Sequence, residues 1–359
     1  MASWFRKKTY PIGIDLGRSG VKLLQLSEAG EDLSVLDAAS AQAPVEIRDD
    51  MQALHQWRMD TIANMLKSGK FKGRKVVIGL PSSDLVIQHL RMDKMAENEL
   101  KTALPFAIQE KIPFPVNESL IRHVVAGEVY EGDQLRQEVV VMAVPAFVMN
   151  QQMQLIKKLK LEIEAINIEA SAIANSFGLD QMDINEATMV VDLGYHCSKV
   201  VITHGKEIAF CRSVKLGVEN VCLSLMTLMG TEKAQAEQSY IDFSLGQGQE
   251  DVSSVKEAVE PISDILVNEL RSCLRYHDMM FENAQVSKVV FVGGQARDKR
   301  FCQELARNLG LPAQIGDPLG KMKFNGNVPE GIDADGLNPQ WAVVFGLSCT
   351  NAQKAVCAN

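Results

Sequence analysis

Apolar and polar positions alternate in short blocks along the first ninety residues. Strand-like runs occur at 11–16, 21–26, 33–42, 75–80 and 84–91, and residues 50–67 between them repeat apolar positions at helical spacing. A change follows at "DKMAENELKTALPFAIQEKIPFP" (93–115), which keeps helical spacing until its prolines stop it. Strand patterns at 120–129 and 137–144 lead to a helix at 146–160 whose lysines mark a wet face. A new block opens near 187 and turns at Gly205. Residues 218–283 are then mostly helical, interrupted by the glycine loop "LGQGQED" (245–251). Residues 286–310 close the pattern with a buried strand, a double-glycine turn and a helix ended by Gly310. Strands alternating with helices predict an α/β protein. The organisation predicts a first lobe at 1–88, completed by about 165–187 and 340–359, an inserted α/β module at 89–164, and a second lobe at 188–339.

One internal echo stands out. "IGIDLGRSGVKLLQL" (12–26) and "MVVDLGYHCSKVVIT" (189–203) are both strand, Asp-Leu-Gly, turn, strand. A strand ending in Asp before a glycine-permissive turn sets backbone N–H groups beside a carboxylate. The N–H groups suit phosphate oxygens, and the carboxylate suits water on Mg²⁺. Gly17 and Gly20 let the chain approach an anion closely, and Lys22 adds a positive charge. Two such hairpins face to face would clamp a polyphosphate. Each alone is also what ordinary turn chemistry produces, and Gly293-Gly294 alone is equally well explained by close helix packing.

Composition narrows the classes. The 359-residue chain is 46% hydrophobic and 23% charged, with net charge −8 and no basic run beyond "RKK" at 6–8, which argues against nucleic acid as a partner. Seven scattered cysteines without a C-x-x-C suit reduced thiols rather than disulfides or zinc. No apolar segment follows the basic residues of "MASWFRKK", and the longest apolar run, "VVVMAVPAFVM" (139–149), is too short to span a bilayer and contains Pro145. That run reads as a buried strand leading into a helix. A cytoplasmic location is expected unless a partner holds the protein at a membrane.

The order of these features resembles the actin/DnaK-type chaperone/sugar kinase superfamily: first phosphate loop, connecting helix, second phosphate loop, Gly-Gly adenosine loop. Within it the chain resembles the PilM family of type IV pilus assembly, a relative of FtsA, nearly end to end. The likeness is carried by "FRKKTYPIGIDLGRSGVKLLQL", "LRMDKMAENELKTALPFAIQEKIPFP", "INIEASAIANSF" and "NELRSCLRYHDMM". It implies an actin-like, duplicated ribonuclease H-like fold of two lobes, with the module at 89–164 as an inserted 1C subdomain. It further implies ATP with Mg²⁺ held through water by Asp15 and Asp192. Asp15, Gly17, Ser19, Gly20 and Lys22 fall on the first phosphate loop, and Asp192, Gly194 and Ser198 on the second. Gly293, Gly294 and Gln295 fall on the adenosine loop, Glu237 on a nucleoside-contacting Ala-Glu-x-x-Lys pattern, and Glu169 near the attacking water. Read as a residue alone, Glu169 is equally a surface-facing first-turn acid that complements a helix dipole.

Departures from the family pattern bear on turnover. Tyr240 replaces the pattern's Lys, the bulky Tyr195, His196 and Cys197 occupy the second loop, and Val218 replaces a second Gly in "LGVEN". ATP binding with slow or no hydrolysis is the expectation, with His196 read as a solvated turn residue. The resemblance implies a scaffold that binds the N-terminal tail of a PilN-like single-span membrane protein. Leu104, Phe106, Ile108, Ile112 and Phe114 are candidates to line its groove where the module meets the first lobe, or simply to anchor the module's own helix. A small-molecule kinase of the same superfamily is the alternative, but no acceptor-activating Asp is evident. An FtsA-like membrane filament would want a basic amphipathic end, which "LSCTNAQKAVCAN" does not supply.

Overall fold

A computed structural model describes residues 8–29, 32–177, 186–247, 252–281, 284–324 and 326–350. The chain begins with β1 (Thr9–Leu16), β2 (Gly20–Ala29) and β3 (Asp32–Gln42), an antiparallel meander. Helix α1 (Met51–Ser68) follows, its first turn capped by Asp50, which accepts from the backbone N–H groups of Gln52 and Ala53. Next come β4 (Lys75–Leu80), β5 (Val86–Asp93), α2 (Glu97–Ile108), β6 (Ser119–Glu131), β7 (Gln134–Pro145), α3 (Ala146–Lys158) and β8 (Glu162–Ile168). The chain then crosses through α4 (Glu169–Phe177) into a second meander of β9 (Ala187–Leu193), β10 (Ser198–His204) and β11 (Glu207–Val214). Helices α5 (Val218–Met229), α6 (Lys233–Ser244) and α7 (Val252–Met280) precede β12 (Val286–Val292) and α8 (Lys299–Leu309). The last elements are β13 (Ala313–Ile315), β14 (Lys323–Phe324) and α9 (Ala342–Ser348).

Three sheets result, with strand orders β14-β3-β2-β1-β4-β8, β11-β10-β9-β12-β13 and β5-β7-β6. In the two large sheets an antiparallel three-strand meander continues into parallel strands, so the echo seen in the hairpins extends to whole sheets. Each strand's alternation feeds two cores. In the first sheet, Ile12, Ile14 and Leu16 pack on Ile62 and Met65 of α1, whereas Leu24 and Leu26 face Trp341 and Phe345. In the second, Met189, Val191 and Leu193 face α5 and α7, whereas Val190 and Val292 face Ala172 and Ile173 of α4 and Leu347 of α9. Helices α4 and α9 therefore lie between the lobes, each packed on the other. A Cβ on Gly346 would meet the Ala172 carbonyl oxygen at 1.8 Å, so only glycine permits this crossing.

Two segments sit elsewhere than the sequence organisation suggested. Residues 146–164, assigned to the inserted module, lie with the first sheet: Leu155 and Ile156 of α3 join its core, and β8, which begins at Glu162, pairs in parallel with β4. Residues 319–339, assigned to the second lobe, also return to the first, where β14 pairs with β3 and Leu319 packs beside Trp341. The small sheet β5-β7-β6 is covered by α2 through Leu100, Leu104 and Ile108. It rests on the second lobe, where His89 Nε2 lies 3.0 Å from the Cys211 carbonyl oxygen and the Tyr276 hydroxyl donates to Glu138. Residues 1–7, part of the 245–251 loop and residues 351–359 lie outside the described residues.

Candidate nucleotide site between the lobes

The first hairpin turn is built from β1 and β2. Their register sets Asp15 opposite Lys22, whose Nζ lies 3.9 Å from Asp15 Oδ2. Burial raises the Asp15 pKa, an effect that Lys22 only partly offsets. The turn is tied from below by Arg58 of α1, which donates to the carbonyl oxygens of Leu16 (3.1 Å) and Gly17 (3.0 Å). The Ser19 carbonyl oxygen accepts from Ala43 N.

The second turn repeats the arrangement in a tighter form. Strand register sets Asp192 opposite Lys199, and Lys199 Nζ lies 3.0 Å from Asp192 Oδ2 and 3.2 Å from Glu169 Oε1. Burial would depress the Lys199 pKa, but Asp192 and Glu169 outweigh it and hold the ammonium well above its usual range. Glu169 is thus no surface acid. It is buried at the head of α4, and its Oε2 accepts from Ser82 N (2.8 Å) and from the Ser82 hydroxyl. Ser198 departs from its expected place as well. It is fully buried, and its hydroxyl donates to the Leu216 carbonyl oxygen instead of facing the cleft. The hairpin tip is docked on the start of α5: Val218 N and Glu219 N donate to the Gly194 and Tyr195 carbonyl oxygens. His196, read as a solvated turn residue, keeps a partly exposed side chain but also takes part in that docking, 2.6 Å from Glu219.

The third element is the turn after β12. Gly293 adopts φ 90°, and a Cβ there would meet Asp192 Oδ1 at 2.3 Å, so the turn closes directly against the second hairpin. A Cβ on Gly294 would meet nothing within 4 Å, which leaves open space at the cleft. Gln295 Nε2 donates to the Tyr240 hydroxyl, so Tyr240 is a buried polar partner here. Glu237 is held across the lobes by Arg48 at 2.6 Å, and the Arg48 guanidinium lies 4.7 Å from the Tyr195 ring centroid. Burial, then the Glu237 charge, pushes the Tyr195 hydroxyl up to about 12. A chain of ion pairs, Arg18–Asp49–Lys233–Glu219, also crosses between the lobes.

These groups line one cavity of ≈ 480 Å³, within the range of small-ligand sites. Asp15, Gly17, Ser19, Gly20, Lys22, Glu169, Asp192, Gly194, Glu237, Gly293, Gly294 and Gln295 all border it, and Ser198 does not. Lys199, Arg58 and Arg48 border or brace it without having been picked from the sequence. Lys199 was legible: "DLGRSGVK" and "DLGYHCSK" carry their lysines at the same spacing.

Two sheets of repeated plan, joined by crossing helices, with paired acidic turns over one cavity, define an actin-like ATPase fold. The family model described as type IV pilus assembly protein PilM matches residues 13–350, and the chain belongs to that family. The solved "PilM-PilN type IV pilus biogenesis complex" aligns at TM-score 0.79 and 18% identity, covering 94% of this chain and 97% of that one. Ethanolamine utilization protein EutJ from Carboxydothermus hydrogenoformans aligns at TM-score 0.56 and 14% identity, covering 94% and 89%. MreB5 of Spiroplasma citri bound to ADP aligns at TM-score 0.51 and 11% identity, covering 98% and 99%. At these identities the structural matches show the fold.

The residues present fit a nucleotide: two anion-facing turns, lysines on both sides, and open space at Gly294. They fit a divalent cation poorly. Asp15 and Asp192, expected to hold Mg²⁺ through water, each already face a lysine. Among the described residues, no three His, Cys, Asp or Glu side chains are grouped to hold a metal ion.

Proposed function

We propose that this member of the PilM family binds ATP between its lobes and works as a cytoplasmic scaffold under an inner-membrane pilus assembly complex. It would hold the N-terminal tail of a PilN-like single-span membrane protein through the inserted module, and so lie at the membrane through partners. The observation that carries the nucleotide reading is the facing pair of Asp–Lys hairpins over one cavity. ATP, when bound, supplies a polyphosphate whose charge can draw the two turns together. Lys22 and the glycine-bracketed first turn would take it from one side, and the second turn and Lys199 from the other. Hydrolysis is slow or absent on this account. Glu169, the candidate for orienting water, has one oxygen engaged by Ser82 and the other by Lys199.

Membership in a type IV pilus family and the alignment with a PilM–PilN complex support the partner reading. The nucleotide reading is tested by thermal melting with ATP. Ligand at a hundred times its Kd stabilises the native state by about 2.7 kcal/mol. The wild type should show such a rise, and folded Lys22→Ala should need much more ATP for it. No rise at any ATP concentration would refute the nucleotide reading.

A further inference from the structure

Lys199 is clamped between two carboxylates of different elements, Asp192 at the end of β9 and Glu169 at the start of α4. Its side chain is 14% exposed and the two acids less still, so their charges are met by this ammonium rather than by bulk water. The phosphate end of the cleft is balanced throughout. Asp15 is faced by Lys22, and Glu169 and Asp192 by Lys199, while Arg58, tied to the first turn's carbonyl oxygens, and Arg18 and Asp84 also border the cavity. A divalent ion held through water needs carboxylates free to accept hydrogen bonds from its hydration shell, and Mg²⁺ gives up that shell reluctantly. Here Asp192 and Glu169 are already engaged by donors fixed to the protein, and Asp15 has the Lys22 ammonium 3.9 Å away.

We propose that Lys199 is a built-in cation that stands in for the divalent metal at the second phosphate turn, so that nucleoside triphosphate is bound without one. The ammonium holds Asp192 and Glu169 in place and presents its remaining donor capacity to the phosphate side of the cavity. Lys22 does the same, more loosely, at the first turn. The duplication thus supplies a lysine to each side of the clamp. This proposal rests on the nucleotide reading, and its test separates the two.

ATP affinity should be measured by calorimetry in Mg²⁺ and in EDTA, for the wild type, Lys199→Gln and Lys199→Arg. The wild type should bind with the same Kd in both solutions. Lys199→Gln should bind roughly tenfold more weakly in EDTA, as expected for a lost charge-assisted contact, and recover in Mg²⁺ because Asp192 and Glu169 are released. Lys199→Arg, which keeps the charge, should remain indifferent to Mg²⁺. Wild-type binding that collapses in EDTA would overturn the proposal while leaving the nucleotide reading intact, and this comparison stands even if a variant does not fold. An unchanged Kd for folded Lys199→Gln in EDTA would overturn it too. No binding in either solution would remove the nucleotide reading and this inference together.

Discussion

Arg48 and Glu237 come from different lobes, 189 positions apart in the chain, and meet at 2.6 Å out of solvent. Breaking such a pair leaves one buried charge unmatched. Arg48→Ala should therefore cost about 3–5 kcal/mol, whereas a double Arg48→Met, Glu237→Gln exchange should recover most of the loss. Urea unfolding of the three proteins checks this, and equal stability of Arg48→Ala and the wild type would show that the pair does not join the lobes. The same scale shows what single residues disclose in sequence. Asp15 and Asp192 were legible because each ends an apolar strand before a glycine turn. Ser198 was assigned to the second loop only by its position in the family pattern, which says nothing about side-chain direction, and here strand alternation buries its hydroxyl against Leu216. Arg48 and Arg58 were not legible, since nothing local marks a surface-type residue as one that reaches across forty or more positions.

Among elements, β10 and α7 share a histidine pair. His204 Nε2 and His277 Nε2 lie 2.8 Å apart, with Phe281 against both rings and Asp278 3.4 Å from His277 Nδ1. Burial, then His277, lowers the His204 pKa from 6.5 to about 4, and burial lowers that of His277. The folded state therefore binds fewer protons than the unfolded chain below pH 6.5. The stability contributed here is present above that pH and is lost as pH falls from 6.5 toward about 4. Denaturant unfolding at stepped pH should show the decline, shallower in His204→Gln; an identical slope in the variant would contradict the assignment. Helix α2 carries a second expectation. Leu104, Ile108 and Ile112 are buried in the module's own core, so they anchor the helix as the plainer reading had it. Phe106 is 77% exposed beside a shallow concavity formed with Pro105, Phe114 and Pro115. An exposed aromatic anchor of this kind suits a short peptide, and folded Phe106→Ala should bind the N-terminal tail of a PilN-like partner at least about tenfold more weakly. Unchanged affinity by fluorescence titration would place the tail elsewhere. The elements with clear periodicity were readable, α1 and β4 nearly to the residue. Strand β14 was not, because its two residues join the sheet only through a distant parallel partner, Ser34 and Val35 of β3. Helix α9, apolar up to its last residue Ser348 and buried all round, has no amphipathic period to read.

At the scale of the whole molecule, the duplication was visible only as two hairpins, yet it extends to two mixed sheets with α4 and α9 packed between them. The edges between blocks were not legible. Residues 146–164 and 319–339 belong with the first sheet through pairings that no local pattern encodes. The two turns are proposed to act together on one ligand. Backbone hydrogen exchange with and without ATP tests it most directly, because it reads both turns in one experiment. Peptides covering residues 16–20 and 193–198 should slow together on adding ATP, and the turn at 293–295 should slow with them. Protection of one hairpin alone, or of neither at saturating ATP, would contradict the clamp.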